Sequence, residues 1–331
     1  MVVKGNLLGL ALLAGSALAI DVPSNIKSLY KSIKSQGQCK NFLAKGFYSA
    51  YNDDNSFGYC GDHLDSDGII YLTGKGGQFA NMDIDCDGVQ GSAADDGRCG
   101  SSGDTQSQTS FQYEVSRYGP QDLDANVHSY VVFGNVGDKK GYTSFDPQEY
   151  GVEPLSVMAA VCGDKLVFGV WGDENGNDGE KSVVGEASIA LATLCYGEGI
   201  NGNAGHDEAD VLYLAFTGKD AVPGKDGINW AAKDRDEFQD SLAKFGNKLV
   251  KGLGSKKKQA SKAMMAAAPL STGSAAAGNS STLTRRSVEG EGMAWKNVTK
   301  ETGHMQGLQQ SWNSSERAVG FRGLRNGIRT L

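Results

Sequence analysis

Two carboxylates, Asp173 and Glu186, are of a type and spacing that could do acid–base chemistry. Asp173 follows the apolar run 166–171, and Glu186 follows the run 183–185, thirteen residues further along the chain. Both runs have strand composition, so the two side chains could face one another across a cleft. Two carboxylates in that position can divide acid and base roles, as glycoside hydrolysis requires. The spacing alone leaves an alternative open, in which Asp173 is a turn residue and Glu186 a solvated one.

Further segments of the chain share a pattern with a known family. In chain order they read DIDCDG, RCGSSGDTQSQTSF, GVWGDENG, VGEAS and GHDEADVLYLAF. Together they resemble the fungal chitosanases of glycoside hydrolase family 75, and the likeness runs over about residues 20–250. The catalytic carboxylates of that family are the Asp of GxWGDxNG and the Glu of GEAS. The resemblance therefore implies that Asp173 and Glu186 are catalytic.

The resemblance also implies an activity, the endo-hydrolysis of β-1,4 links between glucosamine units of chitosan. An inverting mechanism is expected, with the carboxyl groups about 6.5–9.5 Å apart and a water molecule between them. We assign Glu186 as the general acid and Asp173 as the general base, and we expect no cofactor and no metal. The alternative is a polysaccharide-binding or wall-loosening module that has kept the fold without turnover.

Five other residues are candidates for contact with the substrate. Asp104 and Thr105 lie in the polar loop 98–111, and loops on rigid scaffolds often carry function. Trp171 precedes Asp173 by two residues and could stack on a sugar, although packing in the core explains a single Trp equally well. His206 and Asp207 precede the strand predicted at 211–216 and are expected near the same rim.

The segment DIDCDG, residues 83–88, resembles the first half of an EF-hand loop, in which alternate carboxylates bind calcium. The twelfth position of such a loop is Ala94 rather than Glu, and a turn anchored by a cysteine explains the segment better. A third use is to line a groove for substrate ammonium groups. A calcium-dependent interaction protein therefore remains a competing class of function.

Charge divides the chain into two parts. Residues 20–250 carry a net charge of −17, whereas residues 251–331 carry +9. A strongly acidic domain attracts cationic ligands and repels nucleic acid, so chitosan is a plausible partner. Acidic surfaces also aid solubility, and charge alone does not distinguish the two explanations.

The first nineteen residues have the pattern of a secretory signal peptide. A basic start is followed by the apolar stretch 7–18 and an A-x-A site at 17–19, which predicts cleavage after Ala19. The stretch is short for a membrane span, and no later segment approaches that length. We therefore expect a secreted, monomeric protein without membrane contact.

The chain has six cysteines, at positions 39, 60, 86, 99, 162 and 195. An even number in a secreted protein indicates three disulfides, but fifteen pairings are possible. Nearness in sequence favours 39–60, 86–99 and 162–195. The last pair would tie the strand before Asp173 to the segment after Glu186. A metal cluster is disfavoured because C-x-x-C is absent and the four His are scattered.

Short apolar runs and frequent glycines predict a mainly β domain over 20–253, a compact β-barrel with a few short peripheral helices. The resemblance implies a barrel of the double-psi type. Helices are expected at 21–36 with Ser24 as N-cap, at 189–194 with Ser188 as N-cap, and at 238–253. A β-hairpin is expected around residues 162–164.

Residues 254–331 form a basic, low-complexity tail whose composition predicts disorder. All three N-x-S/T sequons, at Asn279, Asn297 and Asn313, lie in this tail. It has no counterpart in the family resemblance. A glycosylated extension and a misread end of the gene both remain open.

Overall fold

The computed structural model describes residues 20–49, 54–103, 105–176, 179 and 181–254. The predicted signal peptide (1–19), the tail beyond residue 254 and the candidate Asp104 lie outside the described residues. Within the described part of the chain, no helix is both long and apolar enough to cross a membrane.

The secondary structure is dominated by short strands. They are β1 (Ile20–Asp21), β2 (Phe42–Phe47), β3 (Phe57–Cys60), β4 (Ile69–Thr73), β5 (Ala80–Asp85), β6 (Tyr130–Asn135), β7 (Val157–Cys162), β8 (Lys165–Asn175), β9 (Glu186–Ser188) and β10 (His206–Phe216). The α-helices are α1 (Ser24–Gln36), α2 (Leu64–Asp67), α3 (Gln112–Ser116), α4 (Ile189–Tyr196), α5 (Gly224–Gly227) and α6 (Arg235–Gly252). Short 3₁₀ turns lie at Lys75–Gly77, Arg98–Ser101, Pro147–Tyr150 and Lys219–Ala221.

Six of these strands close into a barrel in the order β8–β6–β9–β5–β10–β7 and back to β8. The pairs β6–β8 and β5–β9 are parallel, and the other four pairs are antiparallel. Beyond the barrel, β4, β3 and β2 extend the sheet from β10, and β1 pairs with β8. The prediction of a mainly β fold, built on a compact barrel with short helices around it, is confirmed.

Large side chains are buried along the barrel strands, between the strands and the helices packed on them. Every residue of β6 and β7 is buried, and the largest fully buried side chains include Trp171, Tyr130, Tyr213 and Phe168. Burying a side chain of this size stabilises the fold by about 1.5–3 kcal/mol. Strands β7 and β8 pair in register from Val157 to Cys162, so the predicted hairpin is confirmed.

The three longer predicted helices all form. Helix α4 is capped by Ser188, whose hydroxyl accepts a hydrogen bond from the Leu191 amide, as predicted. Helix α6 begins three residues before its predicted start, because Asp234 caps it through the Glu237 amide. The predicted cap of α1 is wrong. Its N-cap is Pro23, which makes no side-chain cap, and Ser24 is already the first helical residue.

The described cysteines form the three predicted disulfides, Cys39–Cys60, Cys86–Cys99 and Cys162–Cys195. The third bond joins the end of β7 to α4, the helix that follows β9. Each bond restricts the unfolded chain and stabilises the fold by about 2–4 kcal/mol.

Candidate active site

Asp173 and Glu186 lie on β8 and β9, two barrel strands with β6 between them. Val132 of β6 is in register with Asp173 on one side and with Glu186 on the other. Neighbouring strands are about 4.8 Å apart, so the two backbones are separated by about 9.5 Å. The barrel thus brings together the two carboxylates that the sequence predicts to be catalytic.

A β-bulge positions Asp173. Val131 pairs with Trp171 and Val132 pairs with Asp173, so Gly172 is an extra residue on β8. A Cβ atom at Gly172 would lie 2.6 Å from the Tyr130 Cβ, and only glycine allows the strands to approach this closely. Next to it, the Trp171 indole Nε1 donates to the Asp173 carbonyl oxygen at 3.0 Å. The backbone of Asp173 is therefore fixed on both sides.

One oxygen of the Asp173 carboxylate receives three hydrogen bonds. Oδ1 accepts from the Ser110 hydroxyl at 2.5 Å, from the Ser110 amide at 3.0 Å and from the Glu174 amide at 2.8 Å. Asp173 is only 5% exposed, and this burial raises its pKa to about 6. The three donors favour the ionised form and limit the rise in pKa that burial causes.

The segment around Glu186 needs the glycine that precedes it. Gly185 has φ of +96°, and a Cβ atom there would lie 2.6 Å from the Asn81 side-chain oxygen. Two residues after Glu186, the Ser188 hydroxyl accepts from the Tyr130 amide at 3.0 Å in addition to capping α4. The GEAS sequence thus sets a turn, a carboxylate and a helix cap in succession.

The pKa of Glu186 is raised to about 8. Burial is the largest cause, followed by the negative charges of Asp83, Asp173 and Asp87. Asp83 lies directly beside Glu186 in the register of β5 and β9. The nearby N-terminus of α4 favours an ionised carboxylate. Burial and the neighbouring carboxylates outweigh that dipole, so Glu186 keeps its proton near neutral pH.

A further buried carboxylate, Asp85, lies next to Asp173. One side-chain oxygen from each of Asp85, Asp87 and Asp173 falls within 4.8 Å of the other two. Burial and the charges of Asp173 and Glu186 raise the pKa of Asp85 well above its usual value. Because like charges this close cannot all ionise, the group retains at least one proton near neutral pH.

The same acidic group bears on the predicted use of DIDCDG. Asp83 and Asp85 lie in the extended strand β5, so the EF-hand-like reading of this segment is wrong. Three carboxylate oxygens could contact one cation, but Ca²⁺ takes six to eight oxygen ligands. The acids instead line the barrel end that carries Glu186.

Thr105 and Trp171, two of the predicted substrate contacts, differ in how far they are buried. Thr105 is partly buried, and its hydroxyl has no hydrogen-bond partner among the described residues. Trp171 is fully buried and packs edge-on against Phe111 at 4.7 Å between ring centroids. It presents no ring face to a sugar, so the core-packing alternative is the correct one for this residue.

His206 and Asp207 begin β10, the strand next to β5. His206 is in register with Met82, two strands from Glu186. Its Nδ1 lies 3.1 Å from Glu208 and its Nε2 lies 2.8 Å from Asp210, and its ring stacks on Tyr196. Asp207 is exposed. Both residues lie near the acidic end of the barrel, but the ring nitrogens of His206 contact acids of its own strand.

Two residues of this site, Ser110 and Glu174, were not predicted from the sequence, and Asp85 was considered only as one of the acids of DIDCDG that could line a groove. Burial, then the charges of Asp173, Asp146 and Glu114, raise the pKa of Glu174 to about 7. A usable signal existed, since Asp85 and Ser110 lie in segments that carry the family resemblance, and Glu174 follows Asp173 directly. Residue type alone did not distinguish them from other polar residues of loops and strands.

A barrel that sets two carboxyl groups of raised pKa two strands apart, one buried and one partly exposed, is an arrangement that glycoside hydrolases use. The model of the family described as fungal chitosanase of glycosyl hydrolase group 75 matches residues 82–252. The chain belongs to this family, as the resemblance predicted, and is therefore a glycosidase.

Curated relatives agree with this assignment. Endo-chitosanase B of Aspergillus oryzae is 47% identical over 252 residues, which cover 75% of this chain and 98% of that protein. An endo-chitosanase of Aspergillus oryzae is 46% identical over 245 residues, covering 73% and 95% of the two chains. An endo-chitosanase of Aspergillus fumigatus is 46% identical over 250 residues, covering 75% and 98%.

Proposed function

We propose that the protein is a secreted endo-chitosanase that hydrolyses β-1,4 links between glucosamine units by an inverting mechanism. The observation that carries the proposal is the pair Asp173 and Glu186, set two strands apart in a member of family 75. The relatives named endo-chitosanase support chitosan as the substrate. Three disulfides support an oxidising, extracellular location.

The different pKa values divide the two roles. Glu186, with a pKa of about 8, is protonated at mildly acidic pH and donates its proton to the glycosidic oxygen. Asp173, with a pKa of about 6 and three hydrogen-bond donors, is the carboxylate that ionises first. It removes a proton from the water that attacks the anomeric carbon as the bond to the leaving sugar breaks.

The separation of the two strands supports inversion. Retaining enzymes place their carboxyl groups about 5–5.5 Å apart, whereas inverting enzymes need about 6.5–9.5 Å to admit the water. Two inter-strand spacings, at most about 9.5 Å between the two backbones, leave room for the larger separation between the carboxyl groups. No cofactor enters this scheme, because both proton transfers are made by side chains of the chain itself.

The acidic surface supports a cationic substrate. Residues 20–250 carry a net charge of −17, and Asp83, Asp87 and Glu174 surround the two central carboxylates. Exposed ion pairs with glucosamine ammonium groups contribute about 0.2–1 kcal/mol each. Asp104, Thr105, His206 and Asp207 remain proposed substrate contacts of a monomeric enzyme.

The test is release of reducing ends from highly deacetylated chitosan by the full chain. Asp173→Asn and Glu186→Gln are each expected to lower kcat by at least about three orders of magnitude. Asp226→Asn, in the exposed helix α5, is the matched control and should retain activity. A parent protein that binds chitosan without cutting it would refute the proposal and favour the binding-module alternative.

The stereochemistry is tested separately. Proton NMR of fresh products should show the α-anomer first if the β-link is hydrolysed with inversion. Initial appearance of the β-anomer would contradict the inverting mechanism while leaving the hydrolase assignment intact.

A further inference from the structure

We propose that Ser110 is a positioning residue for the reaction: it holds one oxygen of Asp173 and leaves the other to receive the proton of the attacking water. Its hydroxyl and its amide both donate to Oδ1, at 2.5 Å and 3.0 Å. The third donor to the same oxygen is the Glu174 amide. This inference rests on the function proposed above, in which Asp173 is the base.

The residues on either side of Ser110 fix its place. The Thr109 amide and hydroxyl both donate to the Asp122 carboxylate, at 2.9 Å and 2.6 Å, and both residues are buried. On the other side, the Phe111 ring packs edge-on against Trp171, whose indole donates to the Asp173 carbonyl. We call residues 109–111 the bracket. Ser110 of the bracket donates directly to the Asp173 carboxylate, and Phe111 supports the Trp171 ring that donates to the Asp173 carbonyl.

The bracket matters because the other ionisable groups near Asp173 are carboxyl groups and the buried phenol of Tyr130 on β6, whose pKa burial and the charges of Asp85 and Asp173 raise. Asp85 and Asp87 approach from the end of β5, and Glu186 interacts with Asp173 from β9. Glu174 follows it on β8, and Asp122 lies in the segment before β6. Each of these groups opposes ionisation of Asp173 when it is itself charged, whereas the donors from Ser110 and Glu174 favour it.

The orientation of Asp173 follows from the same contacts. Three described donors converge on Oδ1, so the carboxylate plane is set by groups on two separate segments of the chain. A general base has to lie within hydrogen-bond reach of the proton that it removes. Loss of the Ser110 hydroxyl is therefore expected to change both the proton affinity of Asp173 and the precision with which Oδ2 meets the water.

The experiment compares Ser110→Ala, Ser110→Thr and Ser116→Ala with the parent in the full chain. Ser116 is a matched control, because it is an exposed serine whose hydroxyl donates to the Tyr113 carbonyl. The carboxyl pKa of Asp173 is measured by carbon NMR on protein labelled at aspartate, with the resonance assigned from Asp173→Asn. The pH profile of kcat/KM on chitosan is measured alongside.

For Ser110→Ala, we expect the carboxyl pKa of Asp173 to rise by about one unit, since one charge-assisted donor is lost. The apparent pKa of the acid limb of kcat/KM should rise by the same amount. At pH values below that apparent pKa, kcat should fall about tenfold while KM changes little. Ser110→Thr keeps the hydroxyl and should restore both values. Ser116→Ala should match the parent.

Two outcomes overturn the inference. One is an unchanged Asp173 pKa and acid limb in a folded Ser110→Ala protein. The other is a loss of activity in Ser110→Ala that Ser110→Thr does not restore. The NMR titration needs no turnover, so a parent inert on chitosan would refute the proposed function while the carboxyl pKa still tests the contact between Ser110 and Asp173.

Discussion

Asp173 and Glu186 lie on the same barrel, flank the same residue of β6 and both lie near other carboxyl groups, but three hydrogen-bond donors converge on Asp173. Asp173 faces hydrogen-bond donors from Ser110 and from its own strand. Glu186 faces carboxylates, with Asp83 beside it in register and Asp87 nearby. The difference shows how one fold can give two carboxyl groups different proton affinities, as the proposed base and the proposed proton donor require. Burial raises both pKa values, and local donors decide which group ionises first.

The difference between Asp173 and Glu186 can be tested by removing each carboxylate and adding a nucleophile, azide, that does not need a general base. In Asp173→Ala, azide can attack the anomeric carbon without a general base, so azide should raise the residual rate about 10-fold or more and form a glycosyl azide of inverted configuration. Glu186→Gln should not respond to azide on chitosan, because the leaving oxygen still needs a proton. Product analysis by mass spectrometry and NMR provides the measurement.

A second substrate separates the roles further. On a glucosamine oligosaccharide with a dinitrophenyl leaving group, Glu186→Gln should regain most of the activity that it loses on chitosan, since that group departs without protonation. Asp173→Asn should remain inactive on both substrates. The opposite pattern would exchange the acid and base assignments.

A smaller effect is expected from the backbone that presents Glu186. Gly185→Ala places a Cβ atom 2.6 Å from the Asn81 side-chain oxygen at a residue with φ of +96°. The strain should lower the free energy of unfolding by about 1–3 kcal/mol and should reduce kcat, since Glu186 is displaced. Urea titration and chitosan hydrolysis measure the two effects.

Gly199→Ala is the control for that change. Gly199 is an exposed glycine with open space where a Cβ atom would lie, so the variant should behave as the parent. Equal stability of the two alanine variants would show that Gly185 is not required by the turn before β9.

The smallest expected effect is on stability as a function of pH. The folded-state pKa values of Asp173 and Glu186 are raised to about 6 and about 8, above their ordinary values of 3.8 and 4.5. Each carboxyl group binds its proton more tightly in the folded protein than in the unfolded chain. Its contribution to stability is therefore complete below its pKa in the unfolded chain and is lost as the pH rises through its pKa in the folded protein. The melting temperature should therefore decrease as the pH rises from about 4.5 to about 8.

Glu186→Gln removes the larger of these two titrations, so its melting temperature should depend less steeply on pH over the same range. Calorimetry at matched ionic strength measures the difference between the two slopes. An identical slope in the parent and in Glu186→Gln would mean that Glu186 is not the group whose proton the fold retains.

Much of the fold could be predicted from the sequence because its signals are local. The apolar runs that became β7 and β8 needed only strand composition, and Ser188 was recognised as a cap from its position before an apolar run. The disulfide Cys162–Cys195 followed from nearness in the chain. Pro23 took the cap expected of Ser24, a choice between two adjacent residues that propensity alone did not resolve.

The identity of the two central carboxylates was also set by the sequence, through short segments whose order matches a family. The tertiary structure decided the rest. Ser110 and Asp173 are 63 residues apart in the chain, so their contact exists only once the bracket packs against β8. Trp171 became core rather than a sugar platform because the bulge and Phe111 enclose it. The pKa values depend on burial and on the charges that the barrel gathers from β5, β8 and β9. These are distances in space that no spacing along the chain specifies.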